Sequence, residues 1–210
     1  MGVLDVLVNW GNRIMILVSV LFLVLTLMSK QANIPLSRAT LRVTHLISFS
    51  AWFGCSIWVS FIAGVVMMRA VDIETFGTVQ TKLFDAYFRF SLMCLATVGF
   101  SGAGLAAQDP VPDAPDVGTE AGTMGTSIFL IALSCIAGNL FFFGPQTTIT
   151  MFERRRVCKD LGVDRKSGHP EVRKLSKRFG MFHGISNLLN LVALVCGFIH
   201  VCTLASHLTL

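Results

Sequence analysis

The chain has 210 residues, 53% of them hydrophobic and only 14% Asp, Glu, Lys or Arg, with a mean hydropathy of +0.69. Soluble domains carry roughly 25% charged residues, so this composition excludes an ordinary soluble domain and implies membrane-spanning helices. Seventeen bases against 12 acids give a formal net charge of +5, and where those bases lie decides the orientation.

A bilayer core of about 30 Å takes roughly 17 to 25 apolar helical residues to cross. The first candidate in chain order is Ile14 to Met28, which must borrow from the half-polar Val3 to Asn12 stretch to span. Arg13 before it gives the look of a secretory signal, but no small-x-small cleavage site follows Met28, where the text reads SKQANIP. An uncleaved signal anchor is expected. The second run, Thr44 to Met68, opens on His45 and carries Trp52 and Trp58.

Asp72 then stands where it can cap a helix whose apolar members Ile73, Phe76, Val79, Leu83, Phe84, Tyr87 and Phe88 recur at three and four residues. This amphipathic segment, 72–89, fits a helix in the interface plane or an inward extension of the third run, Phe90 to Ala107. The loop 108–122, QDPVPDAPDVGTEAG, has three prolines, four acids and no base, and reads as an exposed outer connection. The fourth run, Thr123 to Phe143, meets Gly144-Pro145, a pair expected to stop or kink it. The segment 144–183 holds ten Lys and Arg and reads as two short basic helices, about Thr148 to Leu161, closed by Gly162, and Glu171 to Phe182. The fifth run is Gly184 to Ser206.

Five crossings put fourteen Lys and Arg on one side and three (Lys30, Arg38, Arg42) on the other. The basic side is the cytoplasmic or matrix side, so the N-terminus is expected inside and the C-terminus outside. The architecture is all-α, a polytopic bundle in which 1–43 forms an extension with its own helix and 44–210 a four-helix membrane domain.

All 12 acids fall outside the five runs, which weakens an ion-coupled transport reading, since such pathways place a carboxylate at membrane depth. The six cysteines form no C-x-x-C pair and read as small packing residues. A thiol path through Cys55, Cys94, Cys135, Cys196 and Cys202 is the basis for a carrier of a small solute or soft metal. Arg154, Arg155, Arg156, Lys159, Lys177 and Arg178 are candidate contacts for anionic phospholipids such as cardiolipin or for an acidic partner. Nucleic acid is not expected, because no aromatic-interleaved basic platform accompanies the charge.

On the last run, His183, Ser186, Asn187, Asn190, Ala193, Gly197 and His200 recur on one helical face, a packing seam of small and polar residues. Gly54 and Gly64 are further packing candidates. His45 enters from the outer side and His183 from the inner, so these two cannot share a ligand. His200, roughly 24 Å along the fifth helix, reaches the depth of His45. A haem held by two histidines would therefore use His45 with His200, or with His207. The competing reading of His45 is an interfacial hydrogen-bonding residue.

His45, Trp52, Trp58-Val59, Phe61 and Gly64, followed by FGTVQTKLFDAYF, resemble the first span and following loop of the transmembrane protein 205 family. Pro145 with Thr147-Thr148 and Met151, the Leu161-Gly162 ending, Phe179, His183-Gly184, Ser186 and Asn190-Leu191 are similar to that family's later loop and last span. The resemblance covers about 44 to 90 and 145 to 197. It implies four spans, with residues 1–43 and the proline-rich loop as additions. It implies no established reaction or substrate, only an association with platinum-drug tolerance. The short pattern His45, Trp52, Gly54 is also similar to one in membrane-embedded haem-binding protoporphyrinogen oxidases and copper-resistance membrane proteins.

The residues and the resemblance together lead to the expectation of a non-catalytic accessory or scaffolding subunit of a larger membrane assembly, such as a respiratory-chain complex, with other membrane subunits as partners and no cofactor. A haem-binding redox protein and a carrier are the alternatives. Thiols within the spans and no N-glycosylation sequon in either outer loop favour an intracellular membrane, the mitochondrial inner membrane first.

Overall fold

A computed structural model describes residues 37–108 and 120–206. The run Ile14 to Met28, the loop residues 109–119 and His207 lie outside the described residues. No strand occurs among those described, and four helical stretches are long and apolar enough to cross a membrane: Arg38–Ala70, Ile73–Gln108, Gly125–Leu161 and Pro170–Ser206. The chain divides into two compact units at Leu130.

The first unit is built on a helical hairpin. Helix α1 (Arg38–Ile57) continues through a wide π turn (Trp58–Ala63) into α2 (Gly64–Ala70), and α3 (Ile73–Gln108) returns antiparallel to it. The helix starts before Thr44 because Ser37 caps it, its Oγ accepting from the Thr40 amide at 3.1 Å. Asp72 caps α3 as expected: Oδ1 accepts from the amides of Glu74 (2.9 Å) and Thr75 (3.0 Å), and Oδ2 from the Thr75 hydroxyl (2.6 Å). With the start capped and no proline between Asp72 and Phe90, the 72–89 segment is continuous with the third run in one helix and not a separate interfacial helix. Thirty-six residues make about 54 Å of helix, more than a bilayer core, so its first polar turns stand beyond the hydrocarbon.

The second unit contains the end of α4 (Glu120–Gly138), a second π turn (Asn139–Phe143), α5 (Gly144–Leu161) and α6 (Pro170–Ser206). Gly144-Pro145 neither stops nor ends the helix. The Gly144 amide bonds back five residues to the Asn139 carbonyl, so an extra residue is taken up just before the proline. This widened turn gives the pyrrolidine ring room against the Phe141 carbonyl that it would otherwise strike. The expected short basic helices are likewise continuous with the spans. Thr148 to Leu161 is the end of α5, and Glu171 to Phe182 the start of α6.

Gly162 does close α5. At φ 62° it takes the left-handed conformation, its amide bonding to the Lys159 carbonyl (3.2 Å) and the Val163 amide to that of Cys158 (3.0 Å), the paired bonds of a Schellman ending. Asp164 folds the connection by accepting from the Lys166 amide (2.7 Å). Within the spans, hydroxyls are satisfied by their own helix four residues back, as in Thr97 to Met93, Thr147 to Phe143 and Thr150 to Gln146. Such bonding lets these polar groups lie at membrane depth at low cost.

Polar ties, an open helix face and a basic pole

In the first unit, polar contacts link α1 to α3. At the Arg38 end of the hairpin, Arg38 Nη2 donates to the Gln108 carbonyl (2.9 Å), a cation at a helix C-terminus where the dipole favours it. About two turns along, His45 Nδ1 meets Ser101 Oγ at 3.1 Å. The Ser101 hydroxyl donates to the carbonyls of Thr97 (2.8 Å) and Val98 (3.1 Å), which leaves its oxygen to accept. The contact ties the two helices whichever ring nitrogen carries the proton. Further along, Tyr87 donates to Ser56 Oγ (2.9 Å), and Ser56 donates to the Trp52 carbonyl (2.7 Å).

These ties frame an apolar layer of Trp52, Phe88, Leu95 and Val98, all buried. Close approach is enforced at two glycines. A Cβ on Gly99 would stand 2.6 Å from the Phe129 ring, and one on Gly104 would stand 3.1 Å from Leu41. His45 thus ties the two helices through Ser101. Of the two glycines expected to pack, Gly64 has Gln80 Nε2 at 3.6 Å from an added Cβ, whereas Gly54 is exposed, with nothing within 4 Å.

In the second unit, Asn139 of the π turn is fully buried and donates through Nδ2 to the Ser186 carbonyl at 3.0 Å. The expected seam on α6 divides between two faces. Ser186, Asn190, Ala193 and Gly197 are buried together with Cys196, while His183 and Asn187 are exposed and His200 is half-buried. His200 belongs to the second unit and His45 to the first.

On the exposed side of α6, Asn187 Nδ2 donates to His183 Nε2 (3.2 Å), and the His183 ring stacks on Phe179 at 5.4 Å and 9°. Beside them lie Gly180 and Gly184, a G-x-x-x-G pair at which an added Cβ would meet nothing within 4 Å. Gly180, Gly184, Asn187, Leu191, Val195 and Phe198 share this face by helical spacing and are all exposed. The glycine pair was legible in the text GMFHG. The reading of the seam passed over it by following the polar residues alone.

The candidate lipid contacts gather where α5 and α6 leave the apolar zone. Arg154 lies over the Phe179 ring (4.7 Å), Arg155 over Phe152 (5.5 Å) and Arg178 over Phe182 (5.7 Å). Arg178 also pairs with Glu153 (3.7 Å), and Arg156 with Asp160 (3.7 Å). Lys159 and Lys177 are exposed. No group of three or more His, Cys, Asp or Glu placed to hold a metal ion occurs among the described residues.

Comparison with known proteins locates this arrangement. Residues 47–156 match the family model DUF4149, described as a domain of unknown function. Over 181 residues the chain is 30% identical to transmembrane protein 205 of Danio rerio, covering 80% of this chain and 93% of that relative. No solved structure matches.

Proposed function

Since the chain belongs to the family of transmembrane protein 205 and DUF4149, and is a multi-pass helical membrane protein, we propose that it works without catalysis, by docking another membrane helix against α6 as an accessory or scaffolding subunit. The observation that supports this reading is the exposed face of α6. Gly180 and Gly184 leave room for a second backbone, and Asn187 keeps an amide oxygen that has no donor among the described residues. In lipid there is little hydrophobic drive between helices, so close backbone approach and interhelical hydrogen bonds carry association. Small residues beside an outward-facing amide supply both. The remaining surface is consistent with contact: at most 28% of any span's apolar window is buried within the chain.

The test is the mass of the full-length protein in mild detergent, set beside the double substitution Gly184→Leu with Asn187→Leu. The expected result is a particle heavier than the 22.9 kDa chain, reduced to a single chain by the substitutions. A lone natural chain with nothing co-purifying would end this reading.

A second reading, a haem-binding redox protein with His45 and His200 as axial ligands, draws on the polar partner of His45. A ligating histidine uses one nitrogen on the iron and holds a hydrogen bond at the other, and His45 Nδ1 lies 3.1 Å from Ser101 Oγ. A Soret band abolished by His45→Ala supports it, and no band in the purified protein removes it.

A further inference from the structure

We propose that the basic pole of the α5–α6 hairpin is a phosphate clamp for anionic phospholipid headgroups, organised by Arg154 and Arg155. Charge alone would not carry this, because ten bases against four acids in residues 144–183 are what an inward-facing loop needs for topology. The structure adds arrangement. Three guanidinium groups, those of Arg154, Arg155 and Arg178, are each held over a phenylalanine ring, and no lysine of the segment is. A planar fork held against a ring keeps its geometry for bidentate contact with phosphate and loses less freedom on binding, which a lysine ammonium cannot match.

The three are not equivalent. Arg178 spends its charge on Glu153 (3.7 Å) and reaches Gln146 (3.4 Å), so it serves the hairpin. Arg154 makes no ion pair among the described residues, and the guanidinium groups whose charge acts on it, Arg165 and Arg155, carry its own sign. A half-buried guanidinium among like charges is stabilised by an anion from outside the chain.

Location selects the source of that anion. Ile149, Phe152 and Met181, all exposed and apolar, lie on the same two helices within a few residues of the arginines, on the membrane side. The cluster therefore sits where the lipid-facing surface ends, at headgroup depth, and a headgroup phosphate reaches it without leaving the bilayer. Phe179 joins the clamp to the rest of α6, since it carries Arg154 and His183 on the one ring. The clamp does not depend on helix docking at Gly184, and the two are tested by different readouts.

The experiment is native mass spectrometry of the full-length protein in detergent, with phosphatidylglycerol added in one arm, phosphatidylcholine in a second and inorganic phosphate in a third. Phosphatidylglycerol is expected to be retained well above phosphatidylcholine, and excess inorganic phosphate is not expected to displace it. Arg154→Lys and Arg155→Lys preserve charge and remove the fork, and each is expected to lower retention about tenfold, the size of one charged hydrogen bond. Lys174→Ala removes a charge elsewhere in the segment and is expected to change retention little. If the arginine-to-lysine variants hold lipid as the natural chain does, or Lys174→Ala loses as much as they do, the attraction is diffuse charge and the clamp is wrong. If inorganic phosphate displaces the lipid, the site is one for soluble anions. Should Arg154→Lys fail to fold, Arg155→Lys and the lipid comparison on the natural chain still decide.

Discussion

The two hairpins solve the same problem with different means. In the first, polar side chains turn inward: Arg38 to Gln108, His45 to Ser101 and Tyr87 to Ser56 tie α1 to α3 at three depths, around an apolar layer centred on Trp52. In the second, one buried amide, Asn139, reaches from the π turn to the Ser186 carbonyl of α6, and the basic end is held by guanidinium–aromatic contacts and an ion pair. The second also keeps polar groups on its outside, the His183–Asn187 pair beside two open glycines. In water the exposure of a histidine and an asparagine would mean little. On a membrane helix an outward amide has no solvent to satisfy it, so its position carries information about contact. The proposed docking reading draws on this difference: it takes the first hairpin as holding the fold and the second as the one that meets another helix.

The comparison can be broken most forcefully at Trp52, which is 1% exposed. Trp52→Ala is expected to cost roughly 3 kcal/mol, the low end for such a truncation because lipid offers little hydrophobic gain, read as lowered resistance to unfolding in detergent. The variant should leave anionic-lipid retention unchanged where it remains folded. Loss of lipid at unchanged fold would undo the division of labour.

His45→Ala tests the ties themselves. An interhelical hydrogen bond in a membrane protein averages about 0.6 kcal/mol, so a small loss is expected, and Ser101→Ala should produce a similar one. The double variant should be little worse than either single, since both remove one contact. Additive losses would show that His45 has work beyond Ser101, with haem ligation the first candidate to examine by absorption.

The smallest effect concerns the start of α3. Bonds from the Thr75 hydroxyl and amide and from the Glu74 amide hold the Asp72 carboxyl below its ordinary range. A carboxyl depressed on folding contributes stability above its unfolded value near pH 4, and that contribution fades as pH falls through the folded value. Thermal midpoints should therefore drop for Asp72→Ala at neutral pH, recover in part with Asp72→Ser, and converge with those of the natural chain at low pH. Asp72 is fully solvent-exposed, and no change in helix docking is expected.

Much of this fold was legible in the text because lipid demands charge-free runs of a fixed length: Thr44 to Met68, Phe90 to Ala107 and Gly184 to Ser206 each lie within a described span, and Thr123 to Phe143 overlaps Gly125–Leu161 in all but its first two residues. The Asp72 cap and the Gly162 ending followed from residue chemistry. The two π turns did not, because one extra residue in a turn leaves hydropathy unchanged. Pro145 marked a disturbance without showing that the preceding turn would widen to absorb it. The α6 stripe divides for a related reason. A row of small and polar residues drifts around the helix, and only packing decides that Ser186, Asn190, Ala193 and Gly197 turn inward while His183 and Asn187 turn out. For His45 the residue type offered several roles, and its partner, Ser101 on the facing helix, could not be read from the text.

The claim that matters most is that α6 has one face for its own hairpin and another for a separate chain. A photo-crosslinking residue placed at Gly184, and in a parallel protein at Ala193, tests it in native membranes. The account predicts a crosslinked species of higher mass from position 184 and none from position 193. Equal yields at both positions, or none at 184, would contradict it.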